Sequence, residues 1–118
     1  MIVAVDFDKT LSLGAQYPYI GEPNTELISI LNQLQALNHI IILWTCREGK
    51  ELNEAVDWLK TQGLTPDYVN SNVPWLGFDC RKIVADYYID DCAVYVHDTI
   101  KLKAILYDSK FRRNNYQG

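Results

Sequence analysis

Short apolar runs alternate along the chain with longer stretches of helical period. Residues 1–5, MIVAV, are apolar and β-branched, the pattern of a strand buried on both faces. The stretch LSLGAQYPYIGEPN that follows DFDKT is rich in turn formers and predicts a loop. TELISILNQLQALN then sets Leu27, Ile30, Leu31, Leu34 and Leu37 on one helical face. Asn24 or Thr25 suits its N-cap, and Pro23 suits the entry. HIIILWT predicts a second buried strand. EGKELNEAVDWLKTQG predicts a second helix, with Leu52, Ala55, Val56 and Leu59 inward and Gly63 as its stop.

Beyond Pro66 the pattern is finer grained. DYVNS predicts a brief strand, and NVPWLGFDCRK a loop with at most one helical turn. ADYYIDD and AVYVHD each predict a strand, and TIKLKAILYD a last helix beginning at Asp98 or Thr99. The alternation predicts an α/β fold: a doubly wound, mainly parallel, Rossmann-like sheet with helices on both faces. Neither an internal repeat nor a linker interrupts it, so residues 1–118 form a single domain. In such sheets ligands bind beyond the carboxyl ends of the strands.

Composition changes this picture only by exclusion. Hydrophobic residues at 48% and charged residues at 22% argue against disorder. A net charge of −4 gives no strong nucleic-acid signal. The basic stretch KFRRNNYQG at the end is expected to be a solvated, frayed tail. Three cysteines without C-x-x-C spacing speak against a disulfide framework or a zinc site, and Cys46 and Cys92 are expected to be buried, inert thiols. His39 and His97 are isolated. No basic, apolar leader opens the sequence, and the run IIILW is too short to span a bilayer. A reduced, soluble, cytoplasmic protein without membrane partners is expected.

The chemically capable residues collect where the fold puts its site. Strand one ends in Asp6 and Asp8, strand two in Thr45 with Cys46 and Arg47 beyond it, and the YYI strand in Asp90 and Asp91; Lys82 precedes that strand. Converging carboxylates repel one another and raise their own pKa values. A divalent cation removes that conflict, and Mg2+ suits an all-oxygen donor set completed by waters and a phosphate. One aspartate can then attack phosphorus, and the other can protonate the leaving oxygen and activate water. Thr45 can bond a phosphate oxygen, and Lys82 can offset the charge.

This constellation resembles the haloacid dehalogenase-like (HAD) hydrolase superfamily, as a small capless member. DFDKTL is similar to its first motif, D-x-D-x-T; IIILWT to its second, an apolar strand ending in Thr or Ser; Lys82 to its third, a lone basic residue; and YYIDD to its fourth, an apolar strand ending in paired acids. The motifs occur in the family's order between residues 3 and 91. The resemblance implies Asp6 as nucleophile and Asp8 as general acid/base. It implies a Mg2+ held by Asp6, the Asp8 backbone carbonyl and Asp90, with Asp91 helping. Thr10, Thr45, Cys46, Arg47 and Lys82 are then the substrate contacts. Asp8 implies a phosphatase, because an alkoxide leaving group needs a proton and a halide does not. Lys82 departs from the family pattern, since it precedes Asp90 by too few residues for the usual intervening helix; Arg81 is its rival.

Neither inter-motif stretch can hold a cap domain. Only the loops SLGAQYPYIGEPN and NSNVPWLGFDCR can cover the site, with Tyr17, Tyr19, Trp75 and Phe78 as possible lining and Arg47 reaching a second anionic group. The expected function is a Mg2+-dependent phosphohydrolase working through an aspartyl-phosphate. Its substrate would be a phosphorylated small molecule or macromolecule, and a homo-oligomer partner is one way to supply a lid. The alternatives are a phospho-accepting signalling domain and a member of the fold that binds phosphate or Mg2+ without turnover. The first is disfavoured because a receiver carries its acidic pair early and its phosphorylated aspartate mid-chain.

Overall fold

The computed structural model describes residues 1–107; the basic tail read from the sequence lies outside the described residues. β1 (Ile2–Val5), β4 (Ile40–Leu43), β5 (Tyr68–Val69) and β6 (Tyr87–Ile89) form a parallel sheet in the order β5-β4-β1-β6. β1 sits centrally, in register Val3↔Ile41 on one side and Val3↔Tyr87 on the other. The helices are α1 (Thr25–Ala36), α2 (Gly49–Thr61) and α3 (Thr99–Tyr107). The expected α/β architecture is present, and no cap domain interrupts it among the described residues.

Side chains alternate across the sheet. Val3, Val5, Ile41 and Leu43 point to one face, where they pack with Ile28 and Leu31 of α1 and Ala55 and Leu59 of α2. Ala4 and Ile42 point to the other, against Val73 and Ile83. The two helices therefore share a face, and the second face is covered by the segment 72–85 with its single 3-10 turn, Pro74–Leu76. Right-handed parallel crossovers require this arrangement. β1→β4→β5 moves outward in one direction through α1 and α2, whereas the return from β5 to β6 runs the opposite way and must cross the opposite face. Asn72 organises that return: its buried side chain donates to Asp79 Oδ1 (3.1 Å) and Cys80 O (3.3 Å) and accepts the Val84 N–H (2.7 Å).

Most predicted elements are present, with four differences. The loop after β1 carries a small antiparallel pair, β2 (Ser12–Leu13) with β3 (Glu22–Pro23). AVYVHD forms no strand. Asp90 Oδ1 takes the Cys92 N–H (2.8 Å) and turns the chain, and Tyr95 and Val96 are each 70% exposed. On α1 the inward face is Ile28 and Leu31 with Leu27 and Leu34 at its margin, and Ile30 and Leu37 are exposed. The cysteines Cys46, Cys80 and Cys92 are free and exposed, not buried. The caps agree with expectation: Asn24 accepts from Leu27 N, Asp98 from Lys101 N, and Gly63 takes φ +89° after α2.

Candidate active site

The sheet's direction of travel reverses between β1 and β6, and that switch point is where a crevice opens beyond the strand ends. Asp6 lies there because its N–H bonds Ile89 O at 2.9 Å, extending the β1–β6 ladder by one step. The chain then reverses sharply. Thr10, Leu11 and Ser12 all donate their N–H to Phe7 O (3.2, 2.9 and 3.1 Å), and Lys9 takes φ +63°. A lysine in that backbone region is strained, a feature that concentrates at functional sites. The reversal brings Thr10 back to β6: its hydroxyl lies 3.4 Å from Asp6 Oδ2 and accepts the Asp91 N–H at 3.2 Å.

The resulting cleft has a volume of about 220 Å³ and is lined by Asp6, Trp44, Thr45, Cys46 and Asp90. Thr45 and Cys46 lie where β4 ends. Asn70, which follows β5 in a left-handed conformation (φ +52°), receives the Thr45 N–H on Oδ1 at 2.8 Å and so fixes that turn. Burial pushes the Asp6 carboxyl from 3.8 up to about 6, opposed by a backbone hydrogen bond from Phe7 and reinforced by the charge of Asp90 and by Asp91. Asp90, Asp91 and Cys92 each bring one potential ligand atom within 4.8 Å of the others, all three exposed. The predicted residues Asp6, Thr10, Thr45, Cys46, Asp90 and Asp91 are thus brought together.

Three predicted residues are not placed as expected. Asp8 turns away from the cleft to Arg47, which holds both its oxygens: Nε to Oδ2 at 2.9 Å and Nη2 to Oδ1 at 2.7 Å. Arg47 does not line the cleft. Its side chain is fully buried, and its remaining N–H groups donate to the carbonyls of Pro18 (3.2 Å), Tyr19 (3.2 Å) and Glu51 (3.3 Å). A guanidinium has five N–H donors, and each has its acceptor. Its carbon lies 4.9 Å from the Phe7 ring centroid and 5.1 Å from that of Tyr17. The pair with Asp8 raises the Arg47 pKa further. Lys82 is exposed and outside the cleft lining. The 72–84 loop carries it to Tyr88, whose ring centroid lies 5.5 Å from its ammonium; the Tyr88 and Trp44 ring centroids lie 5.7 Å apart.

The loop aromatics do not line the cleft either. Tyr17 covers Arg47, Trp75 packs edge-on against Tyr68, and Tyr19 and Phe78 are exposed. The aromatic side chain that lines the cleft is Trp44, which the sequence reading passed over; its place immediately before Thr45 was the available signal. Asn70 and Asn72 were missed as well, since an asparagine after a short strand carries no distinctive pattern.

No family model and no curated protein matches the chain. Among solved structures it is similar to one described as the conserved protein coded by a locus of Bacteroides thetaiotaomicron. The identity is 36%, over 100% of this chain and 98% of that one, with a TM-score of 0.72. The chain belongs to that protein's family. The likeness covers nearly the full length of both chains, so the two share the fold.

Proposed function

We propose that the protein is a HAD-type phosphohydrolase that forms an aspartyl-phosphate on Asp6. The observation that carries this reading is the shared cleft at the switch point, where Asp6, Thr45 and Asp90 meet from three strands. Asp6 Oδ attacks phosphorus, the bond to the leaving oxygen breaks, and water then displaces the phosphate from Asp6. Thr45 bonds a phosphate oxygen, and Thr10 orients Asp6. The donor set fits a hard divalent cation, because it is made of carboxylates that disfavour one another's charge. Asp6, Asp90, Asp91 and the Asp8 carbonyl would hold Mg2+, which when bound neutralises carboxylate and phosphate charge together.

The decisive experiment is hydrolysis of an aryl phosphate by wild type and Asp6→Asn, each with Mg2+ and with chelator. Turnover that needs both Asp6 and the cation supports the reading. Turnover that survives Asp6→Asn overturns it. A phospho-accepting domain is the second reading, and the sequestration of Asp8 by Arg47 favours it, because a phosphoenzyme without a nearby base hydrolyses slowly. A stable, hydroxylamine-sensitive phosphate on Asp6 with little turnover would decide for it.

A further inference from the structure

We infer, building on the hydrolase reading, that the site acts on phosphates whose leaving group departs unprotonated: acyl phosphates, aryl phosphates and phosphoanhydrides rather than alkyl monoesters. The inference rests on where Asp8 is held. Both of its oxygens are acceptors in a bidentate pair with Arg47, and Asp8 is absent from the lining of the cleft that contains Asp6.

The pair is built to persist. Arg47 is fully buried, lies against the Phe7 and Tyr17 rings, and has every N–H engaged. Swinging Asp8 into the cleft would strip a buried guanidinium of its only anionic partner among the described residues. It would also loosen the contacts by which Arg47 ties the Pro18–Tyr19 loop to α2, since those bonds depend on the same side-chain position. The other protic groups lining the cleft, the Thr45 hydroxyl, the Trp44 indole and the Cys46 thiol, are far weaker acids than a carboxyl, and Asp90 belongs to the proposed cation site.

The chemistry then selects the substrate. As the Asp6 oxygen bonds to phosphorus, the bond from phosphorus to the leaving oxygen breaks and its electron pair leaves with that oxygen. A carboxylate, phenolate or phosphate carries the pair without a proton. An alkoxide does not, and without a positioned acid its expulsion loses the on the order of 10²–10⁴-fold that general acid catalysis supplies. In the second step water attacks phosphorus, the Asp6–phosphorus bond breaks, and the water proton passes to solvent.

The test is kcat/KM across acetyl phosphate, nitrophenyl phosphates of graded acidity, phenyl phosphate and an alkyl phosphate, with Mg2+. Asp6→Asn serves as the site control, and hydroxylamine-sensitive phosphate on the protein is a second readout. The expected result is a steep dependence on leaving-group acidity, with the alkyl ester slower than nitrophenyl phosphate by on the order of a thousandfold. Phosphate should appear on the protein from acetyl phosphate and not from the alkyl ester. Alkyl ester turnover within about tenfold of the aryl ester would overturn this inference alone, because Asp8 must then enter the cleft. No Asp6-dependent turnover or phosphorylation with any member would overturn the hydrolase reading and this inference with it.

Discussion

The Asp91 N–H donates to the Thr10 hydroxyl at 3.2 Å, across 81 positions of chain. The same hydroxyl lies 3.4 Å from Asp6 Oδ2, so one side chain links the ends of β1 and β6. Thr10 is buried, and valine matches its shape without the hydroxyl. Thr10→Val should therefore fold, losing about 1 kcal/mol by urea denaturation. Its rate of Asp6 phosphorylation should fall by roughly tenfold, the size of one hydrogen bond's worth of positioning. An unchanged rate would remove Thr10 from the site.

Asp6 gives a pH prediction. Its folded-state pKa of about 6 lies above the ordinary 3.8, first because of burial. Between those values the folded chain holds a proton that the unfolded chain has released. Stability contributed by this group is therefore present at low pH and is lost as pH rises through about 6. Asp6→Asn has no such charge. Its stability relative to wild type, by urea denaturation in chelator, should rise between pH 4.5 and pH 7.5. Adding Mg2+ at pH 7.5 should raise the melting temperature of wild type and leave that of Asp6→Asn nearly unmoved. A difference between the two proteins that stays flat with pH would mean that Asp6 is not held among these carboxylates.

The strand ends were legible in the sequence because β-branched runs stop abruptly at polar residues, and a parallel sheet gathers such stops at one edge. Asp6, Thr45 and Asp90 followed from that logic alone. What was not legible depends on side-chain direction. Asp8 is itself a motif position and Arg47 stands two residues beyond Thr45, yet the reversal at Lys9 and the turn fixed by Asn70 aim them at each other instead of into the cleft. Period misled where burial is one-sided: AVYVHD alternates as a strand would, but the sheet ends at β6. Ile30 and Leu37 fit a helical stripe, while the sheet meets the helix along Ile28 and Leu31, a face rotated from it.

The exposed cysteines supply a direct check on that correction. Cys46, Cys80 and Cys92 should all react with a disulfide reagent in native protein, without denaturant. Their rates should differ, because the thiolate is the reacting species. A hydrogen bond to Asp91 and the charges of Asp91 and Asp90 raise the Cys92 pKa. Cys92 should then be the slowest of the three near pH 8, as read by peptide mass spectrometry, and Asp91→Asn should speed it. A thiol that reacts only after unfolding would contradict the observed exposure.

The Arg47–Asp8 pair should matter for stability far more than a surface ion pair does. Arg47 is fully buried while Asp8 keeps 30% exposure, so removing the arginine leaves a half-solvated carboxylate and several carbonyls without donors. Loss of a buried partner costs about 3–5 kcal/mol, and the exposure of Asp8 brings the expectation for Arg47→Met down to about 2–3 kcal/mol. Arg47→Lys should recover little of this, because an ammonium cannot occupy both carboxylate oxygens and also reach three carbonyls. Protease cleavage near Pro18 and Tyr19 should accelerate in both variants, since the loop loses its tie to α2. Both effects can be read on purified protein by urea denaturation and timed proteolysis. A variant with wild-type stability and an intact loop would show that the guanidinium is not the structural centre of this end of the molecule.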